Sequence, residues 1–289
     1  MNTKTTITLN LTKDEQDTLF SHWESFGEVK NPQYTNYQLK LENAVIMAYT
    51  SGKTVFQGKD AKLYASMFME ESDNPFPQAG SDEVGTGDYF GPVCVTASII
   101  ETEHLSLLHE LHTGDSKKIT DKEILKIGPK LEKKIPHSTV ILIPEKYNQV
   151  HKTNNLNEIK AKLHNQAYLN LKKKYKKLPS LIVIDQFAEE GLYYHYLRNE
   201  KEIIRHIYFE TKAEDQYEAV GVSSILARYA FLQTMDKMNK FYDMKFQKGS
   251  GHKADLCAKE FIDKYGFKNL YKVAKLHFKN TEKVQELDS

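Results

Sequence analysis

Two adjacent carboxylates stand beside a glycine turn and just before a long apolar run. Asp82 and Glu83 are followed by Val84, by the turn Gly85-Thr86-Gly87 and, shortly after, by the apolar segment 93–100. Carboxylate oxygens are hard donors that suit Mg²⁺ or Mn²⁺, and glycines let backbone amides approach a sugar-phosphate chain closely. The combination points to metal-assisted phosphodiester chemistry. The same pattern also fits a solvated turn.

Two further carboxylates follow strand candidates elsewhere in the chain. Asp185 ends the unbroken apolar run 181–184, which is typical of a fully buried strand that delivers one charged residue at its carboxyl end. Glu214 lies between the strand candidate 203–209 and the apolar segment 217–238. Taken singly, Asp185 fits a strand-end cap and Glu214 fits a first-turn acid favoured by the helix dipole. Together the sites favour one crevice, where clustered carboxylates repel one another unless cations neutralise them.

Several motifs, in their order and spacing, resemble the bacterial ribonuclease HIII family from end to end. The motifs are Asp82-Glu83-Val84-Gly85-Thr86-Gly87-Asp88-Tyr89-Phe90-Gly91-Pro92, Asp115-Ser116-Lys117-Lys118, Leu163-His164-Asn165-Gln166-Ala167, Val183-Ile184-Asp185-Gln186-Phe187, Thr211-Lys212-Ala213-Glu214, Ser224-Ile225-Leu226-Ala227-Arg228-Tyr229-Ala230-Phe231 and Lys275-Leu276-His277-Phe278. Thr86 and Glu214 favour this family over the related ribonuclease HII, which usually has Arg between the two glycines and Asp as the fourth carboxylate. The segment before residue 80, which ribonuclease HII lacks, argues the same way.

The resemblance implies an endoribonuclease that hydrolyses the RNA strand of RNA/DNA hybrids by two-metal-ion catalysis and leaves 5′-phosphate and 3′-hydroxyl ends. Asp82, Glu83, Asp185 and Glu214 are then the predicted catalytic and metal-binding residues, with Mg²⁺ or Mn²⁺ as the cofactor. Two other functions stay open: cleavage beside a single ribonucleotide embedded in DNA, as in ribonuclease HII, and hybrid binding with little turnover.

Recognition of RNA is assigned to the turn Gly85-Thr86-Gly87. Backbone groups in this turn are suited to hydrogen-bond the 2′-hydroxyls, which alone distinguish the two sugars, and glycine removes the Cβ that would block approach. Ser116, Lys117, Lys118 and Arg228 are the other predicted substrate contacts, with the basic side chains adding sequence-independent affinity for phosphate. Arg228 equally fits an ion pair between two helices.

Residues 1–70 are predicted to form a small α+β domain, joined by a linker at 71–79 to a catalytic domain at 80–289. Alternation predicts a strand at 6–11, and Thr12 begins a capping-box helix that runs through Phe26. Three more strands, at 37–41, 44–50 and 54–57, precede a closing helix at 59–69. The resemblance implies that this domain is TATA-binding-protein-like and helps to hold the substrate.

The strand pattern of the first domain also predicts which side chains face away from its helices. These are Thr6, Thr8, Asn10, Gln38 and Lys40. They would form a polar surface with little charge, which suits the minor groove of a duplex but also fits a sheet face that is merely solvated.

For the catalytic domain, the resemblance implies an α/β fold of the ribonuclease H type, a mixed five-stranded sheet flanked by helices. Its strands are expected in or near Val84 and the segments 93–100, 140–144, 181–185 and 203–209.

Composition is compatible with a nucleic-acid enzyme without identifying one. The 289 residues carry a formal net charge of +1. Residues 1–79 have 7 Lys, no Arg and 10 acidic residues, a net of −3, so the remainder carries +4, from 33 basic against 29 acidic residues. Two isolated cysteines, no apolar leader and no membrane-length apolar segment predict a soluble cytoplasmic protein with reduced thiols. We expect the protein to be a monomer that needs no obligate protein partner and does not associate with a membrane.

Overall fold

The computed structural model of the chain describes residues 5–65, 67, 68, 75–111, 113 and 119–286. The chain divides between residues 73 and 74 into two compact units, each with its own five-stranded sheet. The elements of the first unit are β1 (Thr5–Asn10), α1 (Lys13–Trp23), β2 (Glu28–Lys30), β3 (Thr35–Lys40), β4 (Ala44–Tyr49), β5 (Lys53–Gly58) and α2 (Ala61–Ala65).

The first sheet is antiparallel, in the order β1-β5-β4-β3-β2. Leu19 of α1 is fully buried against strand residues that include Leu39, Ile46 and Phe56, and these form the core of this unit. The predicted capping box is present, because Thr12 and Glu15 bond each other's backbone N–H groups. The elements therefore follow the alternation and capping signals of the sequence.

The first helix and the edge of the sheet in this unit differ from the prediction. The first helix ends at Trp23, and residues Glu24–Phe26 form a 3-10 turn instead of its last turn. The short edge strand β2 was not expected, because three residues are too few to show alternation. Part of the predicted closing helix at 59–69 and part of the predicted linker fall outside the described residues.

The outward face of the first sheet has polar margins around an apolar centre. The residues predicted to lie there are exposed or half-buried: Thr6, Thr8, Asn10, Gln38 and Lys40. The central strands β4 and β5 add half-buried Val45, Met47 and Val55, whose register puts Met47 opposite Val55. The prediction of a wholly polar face was therefore wrong at its centre.

The second unit contains the remaining strands and α-helices of the described chain. They are β6 (Gln78–Val84), β7 (Val93–Ile100), α3 (Leu105–Glu110), α4 (Asp121–Lys134), β8 (His137–Leu142), α5 (Pro144–Val150), α6 (Leu156–Tyr175), β9 (Leu181–Asp185), α7 (Glu190–Tyr196), β10 (Ile207–Glu210), α8 (Glu218–Tyr242), α9 (His252–Tyr265) and α10 (Lys279–Glu286).

The second sheet has the order β10-β9-β6-β7-β8 and is mixed. β10, β9 and β6 are parallel, whereas β7 is antiparallel to both of its neighbours. Alternate residues of β7 pack on opposite sides, with Val95 in the core beneath α6 and Cys94 in the core beneath α8. The predicted mixed five-stranded sheet flanked by helices is confirmed.

Strand limits in this unit shift by a few residues from those expected. The strand expected near 140–144 is β8, which ends at Leu142 because Pro144 begins the helix α5. The last strand begins at Ile207 and not at Ile203. β6 begins at Gln78, inside the predicted linker, while the predicted domain limits themselves stay a prediction.

Cys94 and Cys257 are both free and buried. Within the described ranges, no helix has the length and apolar character needed to cross a membrane.

Gly80 lets α8 pack directly on β6. A Cβ at this position would lie 2.3 Å from the backbone nitrogen of Val220. The hydroxyl of Ser223 donates to the Gly80 carbonyl at 2.8 Å and bonds the hydroxyl of Ser98 at 2.9 Å. This close packing fixes the strand that carries Asp82 and Glu83 against the longest helix of the unit.

Candidate active site

Parallel pairing brings two of the predicted carboxylates to one edge of the second sheet. Ser81 of β6 lies opposite Ile184 of β9, so the next residues, Asp82 and Asp185, follow at the same level on adjacent strands. β10 runs parallel on the other side of β9, and the chain that leaves it carries Glu214 in a 3-10 turn. The carboxyl ends of these three strands therefore bring together residues that are far apart in sequence.

Asp82 lies on the face of β6 that α8 covers. Its carboxylate accepts the backbone N–H of Glu83 at 2.7 Å and hydrogen-bonds the hydroxyl of Ser224 in α8. Burial, together with the charges of Glu83 and Asp185, raises the pKa of Asp82 to about 8. Near neutral pH such a carboxyl group keeps its proton unless a cation replaces it.

Glu83 points to the opposite face, towards α6. The ammonium of Lys160 forms an ion pair with Oε1, and Nε2 of His164 lies 3.0 Å from Oε2. Burial raises the pKa of Glu83, but the hydrogen bond from His164 and the charge of Lys160 outweigh burial and hold the pKa below its ordinary value. Glu83 is therefore already compensated by groups of the protein, unlike Asp82.

The ring of His164 is itself fixed by β6. Its Nδ1 lies 2.7 Å from the hydroxyl of Ser81, and the side chain is fully buried. A neutral ring that donates from Nε2 to Glu83 accepts the Ser81 hydroxyl proton at Nδ1. Lys160 and His164 were missed as site residues, although a spacing of four puts two polar groups on one face of a helix such as α6.

Asp185 and Glu214 form the other half of the site. Asp185 accepts the backbone N–H of Ala213 at 3.0 Å. Burial, together with the charges of Glu214 and Glu83, raises the pKa of Asp185 to about 6, although the hydrogen bond from Ala213 lowers it. Asp185 also shares a hydrogen bond with Glu214, which two carboxyl groups can form only when one of them holds a proton.

The oxygen donors of the four carboxylates are of the kind that binds Mg²⁺ or Mn²⁺, but in this structure they do not surround one common point. Among the described residues, no three or more His, Cys, Asp and Glu side chains are arranged so that they could hold a metal ion. The four carboxylates nevertheless supply hard oxygen donors, and the raised pKa values of Asp82 and Asp185 show that negative charge at this edge lacks compensation. The carboxylate of Glu83 is withdrawn towards α6 by Lys160.

The turn Gly85-Thr86-Gly87 follows directly from the carboxylate strand. Gly85 has φ +98°, and a Cβ there would lie 2.2 Å from the carbonyl oxygen of Pro92, so the position requires glycine. Gly87 is exposed, and a Cβ there would meet no atom within 4 Å. The backbone of Gly87 is therefore open to a ligand, while Gly85 fixes the turn.

The chain beyond this turn is tied to the C-terminal part of the unit. The carboxylate of Asp88 accepts the backbone N–H of Gly249 at 2.5 Å. Lys275 is fully buried and donates to the carbonyl of Gly91 at 2.7 Å. These contacts hold the segment after the turn.

Arg228, a predicted phosphate contact, is engaged inside the protein. Its Nη2 lies 2.6 Å from Oδ1 of Asp121 and its Nη1 donates to the carbonyl of Ile119 at 2.7 Å. Lys248 also pairs with Asp121. The arrangement is the alternative ion pair, between α8 and α4. Ser116, Lys117 and Lys118 lie outside the described residues.

Comparisons with known proteins agree with this architecture. The family model described as Ribonuclease HII matches residues 79–281, and a model described as a domain of unknown function (DUF3378) matches residues 6–79. Ribonuclease HIII of Lactococcus lactis subsp. cremoris is 40% identical over 97% of this chain and 98% of its own length. Ribonuclease HIII of Streptococcus agalactiae serotype Ia is 39% identical over 98% of this chain and 99% of its own length.

Solved structures include similar chains. The crystal structure of Bst-RNase HIII in complex with Mn²⁺ aligns with a TM-score of 0.73 and 31% identity, covering 98% of this chain and 99% of that one. The ribonuclease H2 of Pyrococcus horikoshii OT3 aligns with a TM-score of 0.62 at 21% identity over 73% of this chain and 98% of that one, which is a likeness of fold.

Proposed function

Because this chain belongs to the ribonuclease HII family and, within it, to the ribonuclease HIII proteins, we propose that it hydrolyses the RNA strand of RNA/DNA hybrids at the carboxylate edge of its second sheet. Ribonuclease H activity with Mg²⁺ or Mn²⁺ is general to this family. The catalytic residues in this proposal are Asp82, Glu83, Asp185 and Glu214, and the products carry 5′-phosphate and 3′-hydroxyl ends.

One observation carries the proposal. Asp82 and Asp185 lie at the same level on parallel strands, and the pKa values of both are raised, to about 8 and about 6. Two acidic groups that resist ionisation beside each other form a site that favours added positive charge. At neutral pH a proton on Asp82 supplies part of that charge, and a bound divalent cation would replace the proton.

The four carboxylates would hold the metal ions and orient them. Two divalent ions held there would supply a water of lowered pKa and would neutralise negative charge on the leaving oxygen. The protein contributes position: Ala213 fixes Asp185, the backbone of Glu83 and the hydroxyl of Ser224 fix Asp82, and burial keeps the site partly dry. In this scheme no side chain has to act as a nucleophile.

In this proposal the turn Gly85-Thr86-Gly87 distinguishes RNA from DNA. The turn directly follows β6, which carries Asp82 and Glu83. An RNA strand bound at Asp82 would therefore pass beside the turn. An added Cβ at Gly87 would meet no atom within 4 Å, which leaves room for a ribose whose 2′-hydroxyl would bond backbone groups of the turn. Ser116, Lys117 and Lys118 stay predicted contacts, whereas the pairing of Arg228 with Asp121 gives no support for a phosphate contact by Arg228.

The predicted N-terminal domain, residues 1–70, is proposed to hold the duplex by the outward face of the first sheet. Exposed polar side chains at the margins suit sugar and phosphate groups, and the apolar centre around Val45, Met47 and Val55 suits the floor of a minor groove. A monomeric state and a cytoplasmic location complete the proposal, since nothing in this scheme requires a second subunit or a membrane.

The deciding experiment uses an RNA/DNA hybrid labelled on either strand, with Mg²⁺, Mn²⁺ or a chelator. We expect metal-dependent cutting of the RNA strand alone, and we expect Asp185→Asn to slow it by roughly a hundredfold or more, since metal-ion catalysis contributes several kcal/mol. Glu210→Gln is the matched control, because Glu210 is the neighbour of Asp185 on β10. Binding without cutting would make this a hybrid-binding protein, and preferred nicking beside a single embedded ribonucleotide would indicate the ribonuclease HII reaction.

A further inference from the structure

Lys160 is a buried cation in direct contact with one of the site carboxylates. Its side chain is 11% exposed and that of Glu83 is 12% exposed. Among the four carboxylates, Glu83 is the one whose two oxygens are both engaged by side chains of α6, Oε1 by Lys160 and Oε2 by His164, within the described contacts. A buried carboxylate with such partners is held firmly and is electrically satisfied.

We propose that Lys160 is the resident counter-ion of Glu83 and competes with divalent metal ions for its carboxylate. This inference rests on the proposed function, because it takes Glu83 to be a metal ligand. In this arrangement Oε1 is directed to the ammonium on α6, and a metal ion at the sheet edge gains that oxygen only by displacing Lys160.

The surroundings of Lys160 allow such an exchange. Its ammonium lies 4.0 Å from the centre of the Phe187 ring, and that aromatic face still attracts the cation after the carboxylate has turned away. Phe187 also stacks on the ring of His164, at 5.3 Å between centroids. The ammonium therefore keeps a favourable contact in either state.

His164 keeps the carboxylate of Glu83 in the site when the ion pair with Lys160 breaks. Oε2 stays bound to His164, whose other nitrogen is anchored by Ser81 on the same strand. Glu83 then rotates about a fixed oxygen and does not swing freely. Lys160 and His164 thus have different roles, one competing with metal ions and the other retaining the carboxylate.

The test compares Mn²⁺ affinity in the absence of substrate, by electron paramagnetic resonance of free Mn²⁺, for the full-length wild type and three variants. Lys160→Met keeps the aliphatic stem and removes the charge, and we expect its Mn²⁺ dissociation constant to fall about tenfold, since a repelling charge within a few ångströms of the metal is gone. Lys160→Arg keeps the charge and should bind Mn²⁺ as the wild type does.

Lys162→Met is the matched control. Lys162 lies two residues further along the same helix, pairs with Glu158 at 2.9 Å, and has no contact with Glu83 among the described interactions. Lys162→Met removes the same charge from the same helix and should leave the Mn²⁺ affinity within about twofold of the wild type, since residues two apart do not share a helix face and the Lys162 charge is already paired with Glu158.

Unchanged or weaker Mn²⁺ binding by a folded Lys160→Met variant would overturn the proposal, as would equal tightening by Lys162→Met. Circular dichroism and thermal melting establish folding. If Lys160→Met does not fold, Lys160→Gln, which is neutral and can still donate to Glu83, takes its place with the same expectation. A wild type that binds Mn²⁺ but does not cut hybrids would refute the proposed function and leave this comparison intact, because the comparison needs no substrate.

Discussion

Asp82 and Glu83 are consecutive in the chain, yet their carboxylates lie on opposite faces of β6. Asp82 hydrogen-bonds Ser224 of α8, whereas Glu83 pairs with Lys160 of α6. The two-residue repeat of a strand enforces this separation. The pKa of Asp82 is raised and that of Glu83 is lowered. A bound cation would therefore supply positive charge that Asp82 lacks and that Glu83 already receives from Lys160.

The raised pKa of Asp82 makes the stability of the protein without divalent ions depend on pH. The folded pKa of about 8 exceeds that of an unfolded Asp, so the folded state binds the proton more tightly. The resulting stability is present below about pH 4 and is lost as pH rises through about 8. We therefore expect Asp82→Asn, which cannot ionise, to be more stable than the wild type at pH 8.5 by roughly a few kcal/mol, with little difference at pH 4.5.

Urea unfolding at both pH values, in chelator, measures this difference. Saturating Mg²⁺ should raise the free energy of unfolding of the wild type at pH 8.5 and have little effect on that of Asp82→Asn. Asp17→Asn, at an exposed position of α1, should show no such change with pH. A difference between Asp82→Asn and the wild type that is the same at both pH values would contradict the assignment of the raised pKa to Asp82.

The two glycines of the turn after Glu83 should respond differently to alanine. Gly87→Ala meets no atom within 4 Å and should keep the melting temperature, while its new methyl group obstructs the surface proposed for the ribose. We expect a several-fold loss of affinity for the hybrid in Gly87→Ala. Gly85→Ala should instead lower stability, by about 1–3 kcal/mol, because of its φ of +98° and its contact with Pro92.

Melting curves and hybrid binding in Ca²⁺ separate the two effects. Gly87→Ala with normal affinity for the hybrid, and normal cutting, would remove the turn from the proposed recognition of RNA.

Gly80→Ala should loosen the strand that carries the site. The added methyl group would lie 2.3 Å from the nitrogen of Val220, so α8 has to move away from β6. We expect a loss of about 1–3 kcal/mol in the free energy of unfolding. Cleavage should fall as well, because α8 supplies the Ser224 contact to Asp82.

Gly191→Ala in α7 is the control for Gly80→Ala. Its Cβ meets nothing within 4 Å, and alanine favours a helix, so stability should be unchanged or slightly raised. Denaturant unfolding and cleavage assays on the three proteins provide the comparison. Wild-type stability in Gly80→Ala would show that the close packing of α8 on β6 is not required.

The outward face of the first sheet is tested by a charge at its centre. Met47→Glu places a carboxylate in the row that runs from Thr8 through Val55 and Met47 to Gln38. Repulsion from phosphate should raise the KM for the hybrid several-fold with kcat nearly constant, and more strongly at low salt.

Thr18→Glu adds the same charge on the exposed side of α1, away from this face, and should leave KM unchanged. Steady-state cleavage at two salt concentrations measures both variants. An unaltered KM in Met47→Glu would leave the first sheet as a solvated face with no part in binding.

Short-range signals in the sequence anticipated the elements that carry the site. The apolar run before Asp185 predicted a buried strand, and Thr12 and Glu15 predicted the helix start that is present. Motif order identified the family and the four candidate carboxylates. These signals succeed because strand alternation and capping depend on residues a few positions apart.

These local signals do not predict how distant segments pack against each other. Arg228 fitted both a phosphate contact and an ion pair, and only its position beside Asp121 of α4 distinguishes the two in the fold. The sequence analysis did not assign Val45, Met47 and Val55 to a face, and the register of the sheet puts them on its outward face.

Residue types at fixed local spacing define the family, the strand ends that bear the carboxylates and the glycine turn beside them, so these features can be predicted from the sequence. The contacts of Lys160 and His164 with Glu83, and the difference in pKa between Asp82 and Glu83, become visible only in the fold. Ion pairing and desolvation depend on distances across the molecule, which a helix and a strand acquire only when they pack together.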